Sequence, residues 1–210
     1  MATELNPPLA EYVAARTAEF DQIDEDRKLA LRSLARYIQT KADAGLPVRL
    51  TFICTHNSRR SHLSQLWGAV AAAHYGLADV QTFSGGTEST AFNPRAVAAV
   101  VRAGLLVDKG PEAENPRYQV RYVAGGPASE CYSKVFHQAP NPSEDFCAVM
   151  TCTQADKNCP VVKGAEERIA LPYDDPKVSD GTPQEAETYD ERCRQIAREL
   201  LYAFSQVRGK

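Results

Sequence analysis

The spacing of apolar residues divides the chain into a helical N-terminal part and a part in which strands and helices alternate. Between Leu9 and Ala44 the apolar residues recur at intervals of three and four, which predicts two amphipathic helices. Asp24 is suited to cap the second helix, and Gly45 is a typical residue to end it. We interpret residues 1–47 as an N-terminal helical extension that packs on the rest of the protein or on a second subunit.

From Val48 onward, short apolar runs alternate with amphipathic segments. The pattern predicts strands at Val48–Ile53, Val80–Phe83, Phe146–Thr151 and Arg168–Leu171, and helices at Arg60–Tyr75, Pro94–Ala103 and Pro183–Val207. This alternation is typical of an α/β fold with a parallel sheet and helices on both faces. Ligands bind such sheets beyond the C-terminal ends of the strands. Cys54, Cys152 and the Asp174–Asp175 pair all follow predicted strands, so we expect them to share one edge.

A long segment at about 109–145 interrupts this alternation. It is rich in proline and glycine and also carries four aromatic residues, Tyr118, Tyr122, Tyr132 and Phe136. Structureless loops of this length are uncommon in compact domains and are often functional. We therefore expect an ordered insertion, with some strand or short helix, inside a catalytic domain of residues 48–210.

Composition narrows the possible partners and the compartment. The formal net charge of −3 offers no basic excess for nucleic acid or an anionic membrane surface. The apolar runs are too short to span a bilayer, and the N-terminus does not have the pattern of a signal peptide. We therefore expect a cytoplasmic protein whose six cysteines begin as thiols.

The stretch C-T-H-N-S-R-R-S, Cys54 to Ser61, places a cysteine and an arginine around a short loop. Nearby positive charge and a helix N-terminus lower the pKa of a thiol, and loop amides in this position can form an anion cradle. The guanidinium of Arg60 can bind two oxygens of an oxyanion at once. Asn57 suits a left-handed backbone, and Ser61 can donate a hydrogen bond to the sulfur. Because a strand precedes the loop and a helix follows it, we favour a nucleophilic site over a buried structural cysteine.

Four sequence blocks together resemble the family of low-molecular-weight protein tyrosine phosphatases and the thioredoxin-coupled arsenate reductases that share their fold. The blocks are Cys54–Ser61, Phe83–Glu88 followed by Asn93–Val97, Thr151–Pro160, and Leu171–Pro176. The similarity covers Leu50 to Leu105 and Phe146 to Arg208, but neither the N-terminal helices nor the insertion. It implies a four-stranded parallel sheet with helices on both faces.

The resemblance also implies roles for individual residues. Cys54 would attack arsenate, Arg60 would bind the oxyanion, and Asp175 would protonate the departing oxygen. Cys152 would displace arsenite, and Cys159 would close a Cys152–Cys159 disulfide that thioredoxin or a similar thiol reductant opens. The other loop residues would bind substrate: Thr55, His56, Asn57, Ser58, Arg59 and Ser61. The scheme requires no metal and no organic cofactor.

The extra cysteines favour arsenate reductase, because release of arsenite from a sulfur adduct needs a second thiol and a phosphatase needs none. Two alternatives stay open. One is a phosphatase acting on phosphotyrosine or another phosphomonoester, with Cys152 and Cys159 as redox protection. The other is a non-catalytic oxyanion-binding regulatory module. Two loop residues differ from the family pattern: His56 replaces a glycine, and Arg59 replaces a residue that is often cysteine. Both differences suggest a substrate other than arsenate. The aromatic insertion suggests the same, because it could cover the site.

Overall fold

The computed structural model describes residues 4–158 and 161–208. The helices are α1 (Pro7–Thr17), α2 (Glu25–Asp43), α3 (Arg60–His74), α4 (Pro94–Arg102), α5 (Thr153–Asn158) and α6 (Glu185–Ser205). The strands are β1 (Val48–Cys54), β2 (Val80–Gly86), β3 (Leu106–Lys109), β4 (Tyr118–Arg121), β5 (Ser129–Cys131), β6 (Phe146–Met150) and β7 (Ala165–Ala170). Short 3-10 turns lie at Phe20–Gln22 and Pro176–Ser179. None of the helices in these residues is long and apolar enough to cross a membrane.

The main sheet has four parallel strands in the order β2-β1-β6-β7, which confirms the predicted fold class. Its central strand β1 is a nearly continuous apolar run, as expected where both faces of a sheet are covered. Alternate residues of β1 enter two apolar clusters: Phe52 packs with Trp67 and Phe204 of the helical layer, and Ile53 packs with Ala155 of α5. Since neighbouring residues of a strand point to opposite faces, helices cover both faces of the sheet.

The segment 109–145 is joined to the edge of the main sheet. Its strand β4 pairs with β3 on one side and with β5 on the other, in a separate antiparallel sheet. The chain then runs beside the end of β2, where the Gly86 N–H donates to the carbonyl of Lys134 and the Phe136 N–H donates to that of Gly86, each over 2.9 Å. Gly85 permits this approach, because a Cβ atom there would lie 2.2 Å from the Cα of Phe136. The insertion thus extends an edge that β2 would otherwise expose.

The six residues after Cys152 form a helix that their composition does not predict. They are polar and suited to a mobile surface loop or turn, but they form α5. The first bonds of this helix return to Cys152, whose carbonyl accepts from the Asp156 N–H at 3.0 Å and whose sulfur accepts from the Ala155 N–H at 3.3 Å. Ala155 is buried in the apolar cluster beside β1, and this tertiary contact supports a helix that polar composition alone did not indicate.

The N-terminal helices pack on α6 around a buried ion pair. Asp24 caps α2 as predicted, because its carboxylate accepts from the Arg27 N–H at 2.7 Å. The Arg27 side chain continues to Glu199 of α6, with Nε 2.7 Å from Oε2 and only 15% and 4% of the two side chains exposed. The extension therefore contributes charge as well as apolar surface to the protein interior.

We expect Arg27→Met to lower the free energy of unfolding by about 3 kcal/mol, because it leaves the buried Glu199 carboxylate without its cation. The matched control is Arg102→Met. It breaks the exposed pair between Arg102 of α4 and Asp190 of α6, the helix that also carries Glu199, and is expected to cost about 0–1 kcal/mol. Urea unfolding of the two variants measures the difference, and equal losses would contradict an integral role for the extension.

Candidate active site

The loop between β1 and α3 is held in a tight curve by Asn57. This residue has a φ of +44°, the left-handed conformation predicted for it, and its side chain is fully buried. Its amide nitrogen donates to the Ser61 hydroxyl over 2.9 Å, and the same hydroxyl lies 3.1 Å from the sulfur of Cys54. Because the Ser61 oxygen already accepts from Asn57, its own proton is free to point at the sulfur.

Neighbouring segments hold the carbonyl groups of the loop. The carbonyls of Cys54 and Thr55 accept from the backbone of Thr87 and Glu88, at 3.1 and 2.9 Å. The carbonyl of His56 accepts from the hydroxyl of Ser133 at 2.9 Å. These carbonyls are therefore bound by neighbouring segments, which is compatible with an anion cradle built from the loop amides.

The insertion supports the loop from behind. The Lys134 N–H donates to the side-chain oxygen of Asn57 at 2.9 Å, so one amide side chain links the insertion, the loop and Ser61. Lys134 is itself buried, and burial lowers the pKa of its ammonium group. Sequence reasoning did not identify Ser133 or Lys134, because nothing in the local pattern reveals which insertion residues reach the loop.

Arg60 and Asp175 face each other at the mouth of the loop. The guanidinium of Arg60 donates to the Asp175 carboxylate at 2.7 Å and to the Tyr173 carbonyl at 3.0 Å. Asp174, the other candidate acid, has a side chain that is 95% exposed and 3.5 Å from Arg192. The structure therefore brings Asp175 to the loop and leaves Asp174 at the surface.

The two unusual loop residues have different surroundings. Nε of Arg59 lies 3.9 Å from the carboxylate of Asp175. The Nε of Arg59 donates to the Tyr189 hydroxyl at 2.8 Å, and its Nη2 lies 3.6 Å from the Asp180 carboxylate. His56 is exposed. Tyr189 and Asp180 were not singled out from the sequence, since an aromatic residue on a helix and an aspartate in a turn usually indicate only packing and chain reversal.

A second thiol lies beside the loop. Cys152 is 1% exposed and shares an apolar cluster with Cys54, and its sulfur is 3.5 Å from the Thr55 hydroxyl. Parallel pairing of β1 with β6 accounts for this proximity. Cys54 is the last residue of β1 and Cys152 comes shortly after β6, so both lie at the C-terminal edge of the sheet. Cys159 lies outside the described residues. Cys147 and Cys193 are buried in β6 and α6.

Comparison with known proteins finds similarities in sequence and in fold. No family model matches the chain. Arsenate reductase 2 of Staphylococcus epidermidis is 29% identical over 125 residues, which are 60% of this chain and 76% of that protein. The arsenate reductase of Halalkalibacterium halodurans is 26% identical over 156 residues, which are 74% of this chain and 94% of that protein.

Among solved structures, the low-molecular-weight protein tyrosine phosphatase from T. tengcongensis matches with a TM-score of 0.52 and 14% identity. The match covers 76% of this chain and 99% of that one. The predicted resemblance is confirmed. The chain is similar in sequence to arsenate reductases and shares the fold of a low-molecular-weight phosphatase, and the prediction of an enzyme is confirmed.

Two buried cysteines without a predicted role, Cys131 and Cys193, should be unreactive in the native protein. Burial raises the pKa of Cys131 and of Cys193 to about 12. At pH 8 only about one molecule in 10⁴ would then carry either thiolate, which is the form that reacts. We expect iodoacetamide at pH 8 to leave both unmodified in the folded chain and to modify both in urea, as read by peptide mass spectrometry. Stoichiometric labelling of either one under native conditions would contradict the buried placement.

Proposed function

We propose that this protein is an arsenate reductase that uses Cys54 as nucleophile in a Cys-x5-Arg oxyanion loop and a relay of three thiols. The observation that carries the proposal is the position of Cys152, whose sulfur lies 3.5 Å from the hydroxyl of Thr55, the residue next to the nucleophile. The similarity in sequence to arsenate reductases supports it. We place the reaction in the cytoplasm, where the thiols start reduced.

In the first step, arsenate binds to the loop amides and to Arg60, which exchanges its bond to Asp175 for the oxyanion. The Cys54 thiolate attacks arsenic, an S–As bond forms, and one oxygen leaves as water after taking a proton from Asp175. The Ser61 hydroxyl, 3.1 Å from the sulfur, stabilises the thiolate before attack.

In the second step, the Cys152 thiolate attacks the sulfur of Cys54. A disulfide forms and the S–As bond breaks with its electron pair left on arsenic, so two sulfurs are oxidised and arsenate is reduced to arsenite. Cys159 then attacks the sulfur of Cys152 and expels the Cys54 thiolate. A dithiol reductant of the thioredoxin kind opens the Cys152–Cys159 disulfide and completes the cycle.

A phosphatase is the alternative that the geometry also supports. Cys54, Arg60 and Asp175 are sufficient to form a phosphorylated cysteine from a phosphomonoester and to release the alcohol. The likeness in fold to a low-molecular-weight phosphatase is compatible with this reading. In that case Cys152 would protect Cys54 by reversible disulfide formation. An oxyanion-binding module without turnover would have no use for Asp175 or Cys152.

A side-by-side assay distinguishes these activities. We expect Cys152→Ser to abolish thioredoxin-linked reduction of arsenate and to leave hydrolysis of an aryl phosphate largely intact, since only reduction needs the second thiol. Cys54→Ser should remove both activities. Cys147→Ala, which removes a buried thiol of β6 outside the relay, is the matched control and should keep both. Full reductase activity in Cys152→Ser would rule out the relay, and wild-type protein that binds phosphate but turns over neither substrate would favour the binding module.

The choice of general acid can be tested with two neighbouring carboxylates. We expect Asp175→Asn to lower kcat for aryl phosphate hydrolysis by about 10²-fold or more, because the leaving oxygen loses its proton donor. Asp174→Asn removes the exposed carboxylate and should change kcat little. Steady-state kinetics of both variants decides between the two carboxylates. A larger loss of kcat in Asp174→Asn than in Asp175→Asn would assign the role to Asp174.

A further inference from the structure

A chain of three side chains connects the oxyanion loop to the segment that carries the proposed acid. The Tyr189 hydroxyl accepts from Nε of Arg59 and donates to the Asp180 carboxylate, each over 2.8 Å. Nη2 of Arg59 also lies 3.6 Å from Asp180. Tyr189 is fully buried, and only 12% of the Arg59 side chain is exposed. Asp180 closes the 3-10 turn that begins one residue after Asp175.

The two adjacent arginines make different contacts with the acid segment. Arg59 lies 3.9 Å from the Asp175 carboxylate but gives its hydrogen bond to Tyr189. In this structure Arg60 is the hydrogen-bonding partner that draws Asp175 to the loop, at 2.7 Å. When the guanidinium of Arg60 binds an oxyanion, its hydrogen bond to Asp175 is released. The acid must nevertheless stay within reach of the leaving oxygen. The contacts of Arg59 to Tyr189 and Asp180 do not involve Arg60 and can persist when the oxyanion arrives.

We propose that Arg59 is a positioning residue that holds the acid segment, residues 174–182, against the oxyanion loop through Tyr189 and Asp180. This inference rests on the proposed function and assigns Arg59 a role other than substrate contact. Turning its guanidinium toward the oxyanion would leave the buried hydroxyl of Tyr189 without its donor. Arg60 binds the oxyanion, and Arg59 keeps the proton donor beside it.

The surroundings of the chain agree with a fixed segment. Burial and the carboxylate of Asp180 raise the pKa of Tyr189 to about 12, so the hydroxyl keeps its proton and continues to donate to Asp180. A second link acts one residue further on, because the Gly181 N–H donates to Glu185 at 2.6 Å. Glu185 in turn lies 2.7 Å from Nε of Arg95 on α4. The segment is therefore joined both to α6 and to the helix that follows β2.

Backbone hydrogen exchange tests the proposal without requiring turnover. The variants are Arg59→Met, Tyr189→Phe and Asp180→Asn, each saturated with inorganic phosphate so that Arg60 is occupied. We expect amides of residues 174–182 to exchange about tenfold faster than in the wild type. Local opening costs less free energy once the hydrogen bonds between Arg59, Tyr189 and Asp180 are lost. Asp190→Asn, the same chemical change at an exposed α6 residue beside Tyr189, should leave exchange unchanged. Unchanged exchange in all three variants would overturn the proposal.

The dependence of hydrolysis on the leaving group separates positioning from substrate contact. With an aryl phosphate whose leaving group is poor, we expect kcat of the three variants to fall about tenfold, since this substrate depends most on the acid. With an activated leaving group, and for the inhibition constant of phosphate, we expect changes below about twofold. Equal losses on both substrates, or weaker phosphate inhibition in Arg59→Met, would show that Arg59 touches the oxyanion and would overturn the proposal.

The failure of the proposed function has a different signature. If arsenate is not reduced but the leaving-group pattern appears, the positioning role stands and the reductase assignment falls. If the wild type turns over neither substrate, the hydrogen exchange result decides the positioning role by itself.

Discussion

The hydrogen bonds of one buried amide side chain, Asn57, hold the loop between β1 and α3, the proposed oxyanion site, in shape. Its nitrogen donates to Ser61, which touches the Cys54 sulfur, and its oxygen accepts from the backbone of Lys134. The left-handed backbone at this residue lets the chain pass from β1 to α3 within five residues. Because these bonds are buried, an unsatisfied partner would cost about 1–3 kcal/mol, and this cost favours a single loop geometry.

The parallel sheet then decides which groups can meet at that loop. Neighbouring strands β1 and β6 end at the same edge, and this pairing places Cys152 beside the loop. The chain after β7 arrives at the same edge with Asp175. The two adjacent arginines contact different parts of the protein. Arg60 lies at the mouth of the loop, and Arg59 donates a hydrogen bond to Tyr189 on α6.

The insertion contacts the site from behind the loop, through Ser133 and Lys134. Ser133 and Lys134 bind the loop backbone and Asn57, and the chain beyond them runs along the end of β2. Such close approach is possible because Gly85 has no side chain. The aromatic residues that suggested a roof over the site are divided between the core, where Tyr118 is buried, and cation–π contacts such as that of Arg117 over Tyr132.

The sequence by itself determined the elements whose pattern is local and strong. The apolar run of β1, the tight loop from Cys54 to Ser61 and the helix from Arg60 could be predicted because strand burial, turn chemistry and helical periodicity each leave a signature in consecutive residues. Only the tertiary structure decided that the segment after Cys152 is a helix, that Lys134 supports Asn57, and that Arg59 engages Tyr189 and Asp180. Those contacts join residues far apart in the chain, and their free energy depends on burial that no local pattern records.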